Sequence, residues 1–210
     1  PPDWVEFSNA KDFQKAAGGA FGRTLQGATI KAIDAAKTLD VSQANISSLI
    51  AGRLPVSISK FVTMSAAFAS VAVEIHVDYG ENPQLARLTT GGTWFDSLSC
   101  DARTTNLTSN VVPKEFANAL REILEGFRLN QKLKKSALAQ CLGISTKSII
   151  VLETRNQSED KGSQDIRITS LLPHILRKKS GIAFTSYRPS DGAIFSRICS
   201  TGMGQPNGVE

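Results

Sequence analysis

The residues best suited to chemistry in this sequence are small neutral side chains within one short stretch. Gln43 and Asn45 carry carboxamides, which can each form a paired hydrogen bond with adenine, and Ala44 can contact a thymine methyl group. Ser47 and Ser48 add hydroxyl groups to the same stretch. Side chains of this kind suit a helix that enters the major groove of double-stranded DNA. We therefore expect these residues to read bases.

The sequence around this stretch predicts two short helices joined by a turn. Ala35 and Leu39 share one face of a first helix, and Ile46 and Leu49 share one face of a second. Asp40 lies between the helices, where a left-handed backbone is required, and Asp is among the few non-glycine residues that tolerate it. The pattern is typical of a helix-turn-helix.

Phosphate contacts are expected at the edges of this motif. Ser42 is placed to cap the second helix and is also expected to contact a phosphate. Arg53 and Lys60 follow the second helix and can hold phosphates. A polar helix face is also often simply solvated, so the motif alone leaves both interpretations open.

A second copy of the pattern lies 103 positions later, in residues 135 to 154. It carries Gly143 in the turn, but Ile150 and Val151 replace Ser47 and Ser48 on the face that would enter the groove. Apolar groups there are poor readers of bases, so we do not expect this copy to work identically. The second copy contains a polar insertion, and each copy then ends in strand-like sequence, which predicts an internal duplication.

Positive charge is concentrated in the second half. Residues 1–110 hold 9 Lys plus Arg against 10 Asp plus Glu, whereas residues 111–190 hold 14 against 7. A basic domain attracts nucleic acid, although a run of charges is also commonly a solvated face. The phosphate contacts expected from this half are Lys132, Lys134, Lys135, Thr146, Lys147 and Ser148.

Three segments follow one another in the first half: AKTLDVSQANISSLIAGR, a further amphipathic helix and VAVEIHV. Their order resembles the Xre family of lambda-repressor and Cro-like helix-turn-helix domains. The resemblance covers roughly residues 12–79, and residues 114–188 less well. It implies that the opening residues of the motif's second helix, Gln43 and Ala44, read bases.

We therefore expect a mainly α-helical chain with two lambda-repressor-like helix-turn-helix domains, each followed by a short β-strand or hairpin. The first strand is predicted at 71–77, and RPSDG is predicted to turn a hairpin in the second half. The strand needs a partner, either in another subunit or within the chain. The expected organisation is a domain at 1–79, a linker at 80–112, a domain at 113–200 and a disordered tail at 201–210.

The first helix is expected to be loose. It is predicted from about Asn9 through Ala17, and Gly18, Gly19 and Gly22 weaken it. GGAFGRTLQG is not a phosphate loop, because it lacks the Lys-Ser/Thr ending.

No catalytic or metal-binding pattern is present. The sequence has two His, no GxSxG, no P-loop and no HExxH, and Cys100, Cys141 and Cys199 form no CxxC pair. We therefore expect no enzyme activity, cofactor or metal. Without a signal peptide or an apolar run of ~18 residues, we expect a cytoplasmic, nucleoid-associated protein that does not enter a membrane.

These patterns predict a sequence-specific regulator of transcription that binds double-stranded DNA, most simply a repressor. Such motifs work in pairs, supplied either by a homodimer or by the two copies in one chain. One alternative is an antitoxin or adaptor whose second copy binds a protein through Ile150 and Val151. Another is a plasmid partition or DNA-organising protein.

Overall fold

The computed structural model describes residues 4–77, 84–91, 105–110, 116–130, 132–142, 145–153 and 180–200. Within these residues there are seven helices and six strands. In the first half they are β1 (Trp4–Phe7), α1 (Ala10–Gly27), α2 (Ala32–Thr38), α3 (Gln43–Ile50), α4 (Ile58–Ala66), β2 (Ser70–Val77) and β3 (Gln84–Thr90). In the second half, counted from here on from residue 105, they are β4 (Thr105–Asn110), α5 (Phe116–Asn130), α6 (Lys135–Leu142), α7 (Thr146–Glu153), β5 (Ser180–Tyr187) and β6 (Ile194–Ser200). Each half thus begins with a strand, continues with helices and ends with two strands.

The described strands form one mixed sheet in the order β1-β6-β5-β2-β3-β4. At its centre β2 and β5 pair antiparallel, with Val73 opposite Phe184. β3 and β6 flank them as the second strands of two antiparallel hairpins. On the outside, β1 pairs parallel with β6, and β4 pairs parallel with β3. Each outer strand therefore belongs to the other half of the chain, which interlocks the two halves.

The expected fold class, mainly α with short accessory strands, is wrong, because the strands build one six-stranded sheet and the fold is a mixture of α and β. A strand in isolation leaves backbone N–H and C=O groups unpaired, so the strands of both halves pair with one another. The segment 80–112, expected to be a linker, contributes β3 and β4 to this sheet. The tail expected at 201–210 lies outside the described residues.

The helices pack on one face of the sheet. Val71, Val73 and Ile75 alternate along β2 toward this face, as their spacing predicted, and all three are buried. Ile182 and Phe184 stand opposite them on β5 and belong to the same hydrophobic core. The core is thus built jointly by both halves.

The opposite face of the sheet holds a buried ion cluster. Glu74 on β2 accepts a hydrogen bond from Arg197 on β6 at 2.7 Å, and its carboxylate lies 3.6 Å from Nε of Arg87 on β3. Arg197 also donates to the hydroxyl oxygen of Thr185 on β5 at 3.0 Å. Because a buried charge is costly when its partner is removed, this cluster ties the strands of the two halves to one register.

The predicted hairpin around RPSDG is confirmed, since β5 and β6 pair antiparallel on either side of it. Asp191 accepts a hydrogen bond from the backbone N–H of Ala193 at 3.0 Å and forms an ion pair with Arg188 at 2.9 Å. That backbone hydrogen bond, helped by Arg188, lowers the pKa of Asp191. Gly192 follows with a φ of 74°, a left-handed conformation that favours glycine.

α1 is a continuous helix of 18 residues, so the expectation of a loose first helix is wrong. Asn9 caps it by accepting hydrogen bonds from the N–H groups of Lys11 and Asp12, both at 3.0 Å. Its glycines make room for a neighbouring helix. A Cβ atom on Gly18 would lie 2.2 Å from the carbonyl oxygen of Leu49, at the end of α3. The glycine therefore positions α3 directly against α1.

Candidate nucleic-acid interface

The first helix-turn-helix is formed by α2 and α3, with residues 39 to 42 between them. Asp40 has a φ of 52°, which is the left-handed conformation predicted for the turn. The hydroxyl oxygen of Ser42 accepts a hydrogen bond from the N–H of Asn45 at 3.1 Å and so caps α3 as predicted. The local signals of the sequence thus determine where α3 begins.

The inner face of this motif is buried in the core. Ala35 and Ala36 of α2, together with Ile46 and Leu49 of α3, belong to the main hydrophobic cluster. The side-chain amide of Gln14 on α1 donates a hydrogen bond to the carbonyl oxygen of Gly52 at 2.8 Å. These contacts hold α3 by both its side chains and its C-terminal backbone.

The outer face of α3 carries the residues expected to read bases. Gln43, Ala44, Asn45 and Ser47 are exposed, and Ser48 is half-buried. The two carboxamides are therefore available to a partner on the first turn of a capped helix. In helix-turn-helix proteins that bind DNA, hydrogen-bonding groups on the first turns of the motif's second helix reach base edges in the major groove.

Exposed cationic side chains lie on the segments that precede and follow α3 in the chain. Arg53 is exposed beyond α3, and its N–H donates to the carbonyl oxygen of Ser48 at 2.8 Å. Lys60 is exposed on the first turn of α4. Lys31 and Lys37, at the two ends of α2, are exposed as well and were not assigned a role from the sequence. The sequence pattern that could have indicated them is a lysine at each end of the short helix that precedes α3.

The second helix-turn-helix, formed by α6 and α7, repeats local details of the first. The hydroxyl oxygen of Ser145 accepts a hydrogen bond from the N–H of Ser148 at 3.1 Å, as Ser42 does in the first motif. Thr29, before α2, has a φ of 61°, and Lys132, before α6, has a φ of 53°. Positions 143 and 144, which include the predicted turn glycine, lie outside the described residues.

The outer face of α7 differs chemically from that of α3. Thr146 and Lys147 are exposed, and Ile150 is 47% exposed although it is apolar. Ser148 is half-buried, and its hydroxyl oxygen lies 2.9 Å from that of Ser145, so this side chain is engaged at the helix cap. Val151 is half-buried, like Ser48 at the matching position.

A buried ion pair holds the second motif together. Nε of Arg128 on α5 lies 2.5 Å from Oε1 of Glu153 on α7. Nη2 of Arg128 donates a hydrogen bond to Oε2 of the same glutamate at 3.0 Å. The Lys135 ammonium lies 3.1 Å from the same carboxylate. The three lysines that were expected to contact phosphates therefore differ. Lys135 pairs with Glu153 between α6 and α7, whereas Lys132 and Lys134 are exposed.

Within the described ranges, no group of His, Cys, Asp and Glu side chains has an arrangement that could hold a metal ion. None of the helices in these ranges combines the length and apolar character that a membrane span requires. Comparisons with models of protein families, with curated proteins and with solved structures found no match.

Proposed function

We propose that this chain is a sequence-specific DNA-binding regulator of transcription of the Xre type, acting as a repressor. The observation that carries the proposal is the exposed polar face of α3, where Gln43 and Asn45 stand on the first turn of a helix capped by Ser42. Carboxamides at such positions can form paired hydrogen bonds with adenine in the major groove. Bound at a promoter, the protein would block polymerase sterically.

Phosphate contacts would fix the protein on the duplex. Arg53 and Lys60 are exposed beside α3, and Lys134 is exposed at the start of the second motif. Such contacts set register and orientation but carry no sequence information. In the first motif, specificity is therefore assigned to α3, and general affinity is assigned to these cationic side chains.

The pair of motifs that such proteins need is supplied within one chain. Both edges of β2 are occupied, by β3 on one side and by β5 on the other. The homodimer expected through this strand is therefore not needed to bring two motifs together. A complex of one chain with one duplex is the simplest assembly.

The first test is the base-reading role of Gln43. We expect Gln43→Ala to weaken binding to the selected DNA sequence by about 1–3 kcal/mol and to leave non-specific binding nearly unchanged, because only a base contact is lost. Fluorescence anisotropy with specific and scrambled duplexes measures both affinities. Gln26→Ala, an exposed glutamine at the end of α1, is the matched control. Equal losses on both duplexes would contradict the base-reading role.

The second test separates the two neighbouring lysines. Lys134→Gln should reduce the slope of log affinity against log salt concentration by about 1, because one phosphate contact is lost. Lys135→Gln should change this slope less and lower the melting temperature more, since Lys135 is paired with Glu153. Titrations at several salt concentrations and thermal melts give both quantities. An unchanged slope in Lys134→Gln would show that Lys134 contacts no phosphate and is an ordinary solvated side chain.

A second candidate function, an antitoxin or adaptor that binds a protein, is favoured by the exposure of Ile150 on α7. An exposed apolar side chain at this position can pack against the surface of a protein partner. A stoichiometric protein complex that is lost in Ile150→Ser and kept in Ser47→Ala would favour this function.

A further inference from the structure

The two halves of the chain are placed about the centre of the sheet like the subunits of a symmetric dimer. Val73 of β2 faces Phe184 of β5 at the centre of the sheet. On either side the next strand, β3 or β6, completes a hairpin, and the outermost strand, β4 or β1, comes from the other half. Because β2 and β5 run antiparallel, the operation that relates the halves reverses strand direction, as a two-fold rotation does and a translation does not. The two motifs therefore have opposite orientations.

Both motifs lie on the same side of the sheet. Phe13 of α1 and Phe116 of α5 are fully buried in one hydrophobic cluster with the helix-facing residues of β2 and β5. α1 packs on β6 and α5 on β3, whereas α3 packs on α1 and α7 packs on α5. A two-fold axis normal to the sheet keeps α3 and α7 on the same side of the sheet.

The two outer faces are nevertheless chemically different. At matching positions α3 presents Gln43 and Ala44, whereas α7 presents Thr146 and Lys147. A carboxamide pairs with adenine, whereas a lysine ammonium donates to O6 and N7 of guanine. Ile150, exposed where the first motif has a serine, can contact a thymine methyl group.

We propose that one chain, without a second copy, binds a duplex that carries two unlike half-sites in inverted orientation. α3 reads a half-site centred on adenine, and α7 reads a half-site that contains guanine and thymine. The half-sites lie about one helical turn apart, as for other paired motifs. This inference rests on the proposed DNA-binding function.

The experiment begins with selection from random duplexes by the full chain, followed by sedimentation to count chains per bound duplex. The expected result is a non-palindromic, two-part site bound by one chain. Reversing one half-site, or replacing the second with an inverted copy of the first, should weaken binding about tenfold or more. Gln43→Ala should relax base preference only in the first half-site, and Lys147→Ala only in the second.

The outcomes distinguish this inference from the function on which it rests. A palindromic site bound by two chains, or half-sites in tandem orientation, would overturn the inference and leave sequence-specific DNA binding standing. The inference would also be overturned if Lys147→Ala selected the same site with the same base preferences. That result would point to a protein partner for α7. Enrichment of no sequence would remove the proposed function and the inference together.

Discussion

Phe184→Ala should lower the free energy of unfolding by about 3–5 kcal/mol and should destabilise both halves of the chain. Phe184 lies on β5 of the second half and is 2% exposed. Its ring packs against Phe7, Phe13 and Phe61 of the first half, at centroid distances of 6.4, 5.7 and 5.6 Å. Truncation would leave a cavity among these rings and opposite Val73, at the point where the halves meet.

Chemical denaturation measures the total loss, and hydrogen exchange at amides of α3 and α7 shows whether both motifs lose protection. Phe195→Ala is the matched control, because Phe195 is only half-buried on the same hairpin. We expect a clearly smaller loss in the control. Two separate unfolding transitions, with only the second shifted by Phe184→Ala, would show that the halves fold independently and that the shared core contributes little.

The first helix-turn-helix could be predicted from the sequence because its signals are local. The apolar spacing of Ile46 and Leu49, the left-handed Asp40 and the Ser42 cap each act within one or two turns, and the structure places all of them as predicted. The exposed face of α3 then follows, since the residues not used in the core must point outward.

The sheet could not be predicted in the same way, because strand pairing depends on distant residues. The spacing in β2 predicts a strand, but nothing in it shows that Glu74 meets Arg197 or that β5 is its neighbour. β4 is rich in Thr, Ser and Asn, which resembles a linker until a pairing partner is known. The close approach at Gly18 was missed for the same reason, since it depends on where α3 crosses α1.

Gly18→Ala should destabilise the protein by about 3 kcal/mol and weaken specific DNA binding, although alanine is the better helix former. The added Cβ would meet three backbone atoms: the carbonyl oxygen of Leu49 at 2.2 Å, the nitrogen of Gly52 at 3.0 Å and the carbonyl oxygen of Ile50 at 3.1 Å. Backbone atoms cannot rotate away as a flexible side chain can. The end of α3 must therefore move away from α1, which shifts the face that we propose reads bases.

Gly19→Ala provides a matched control one residue further along the same helix. Its Cβ would meet only the end of the Arg23 side chain, at 3.5 Å, so there is room for the methyl group. We expect this variant to gain about 0.5–1 kcal/mol, because alanine loses less backbone entropy in a helix than glycine. Thermal melts should therefore show a lower melting temperature for Gly18→Ala and a higher one for Gly19→Ala. DNA titrations should show a loss of affinity only in Gly18→Ala. If both variants are stabilised and bind DNA equally, the contact between α1 and α3 is looser than the structure shows, and the position of α3 does not depend on it.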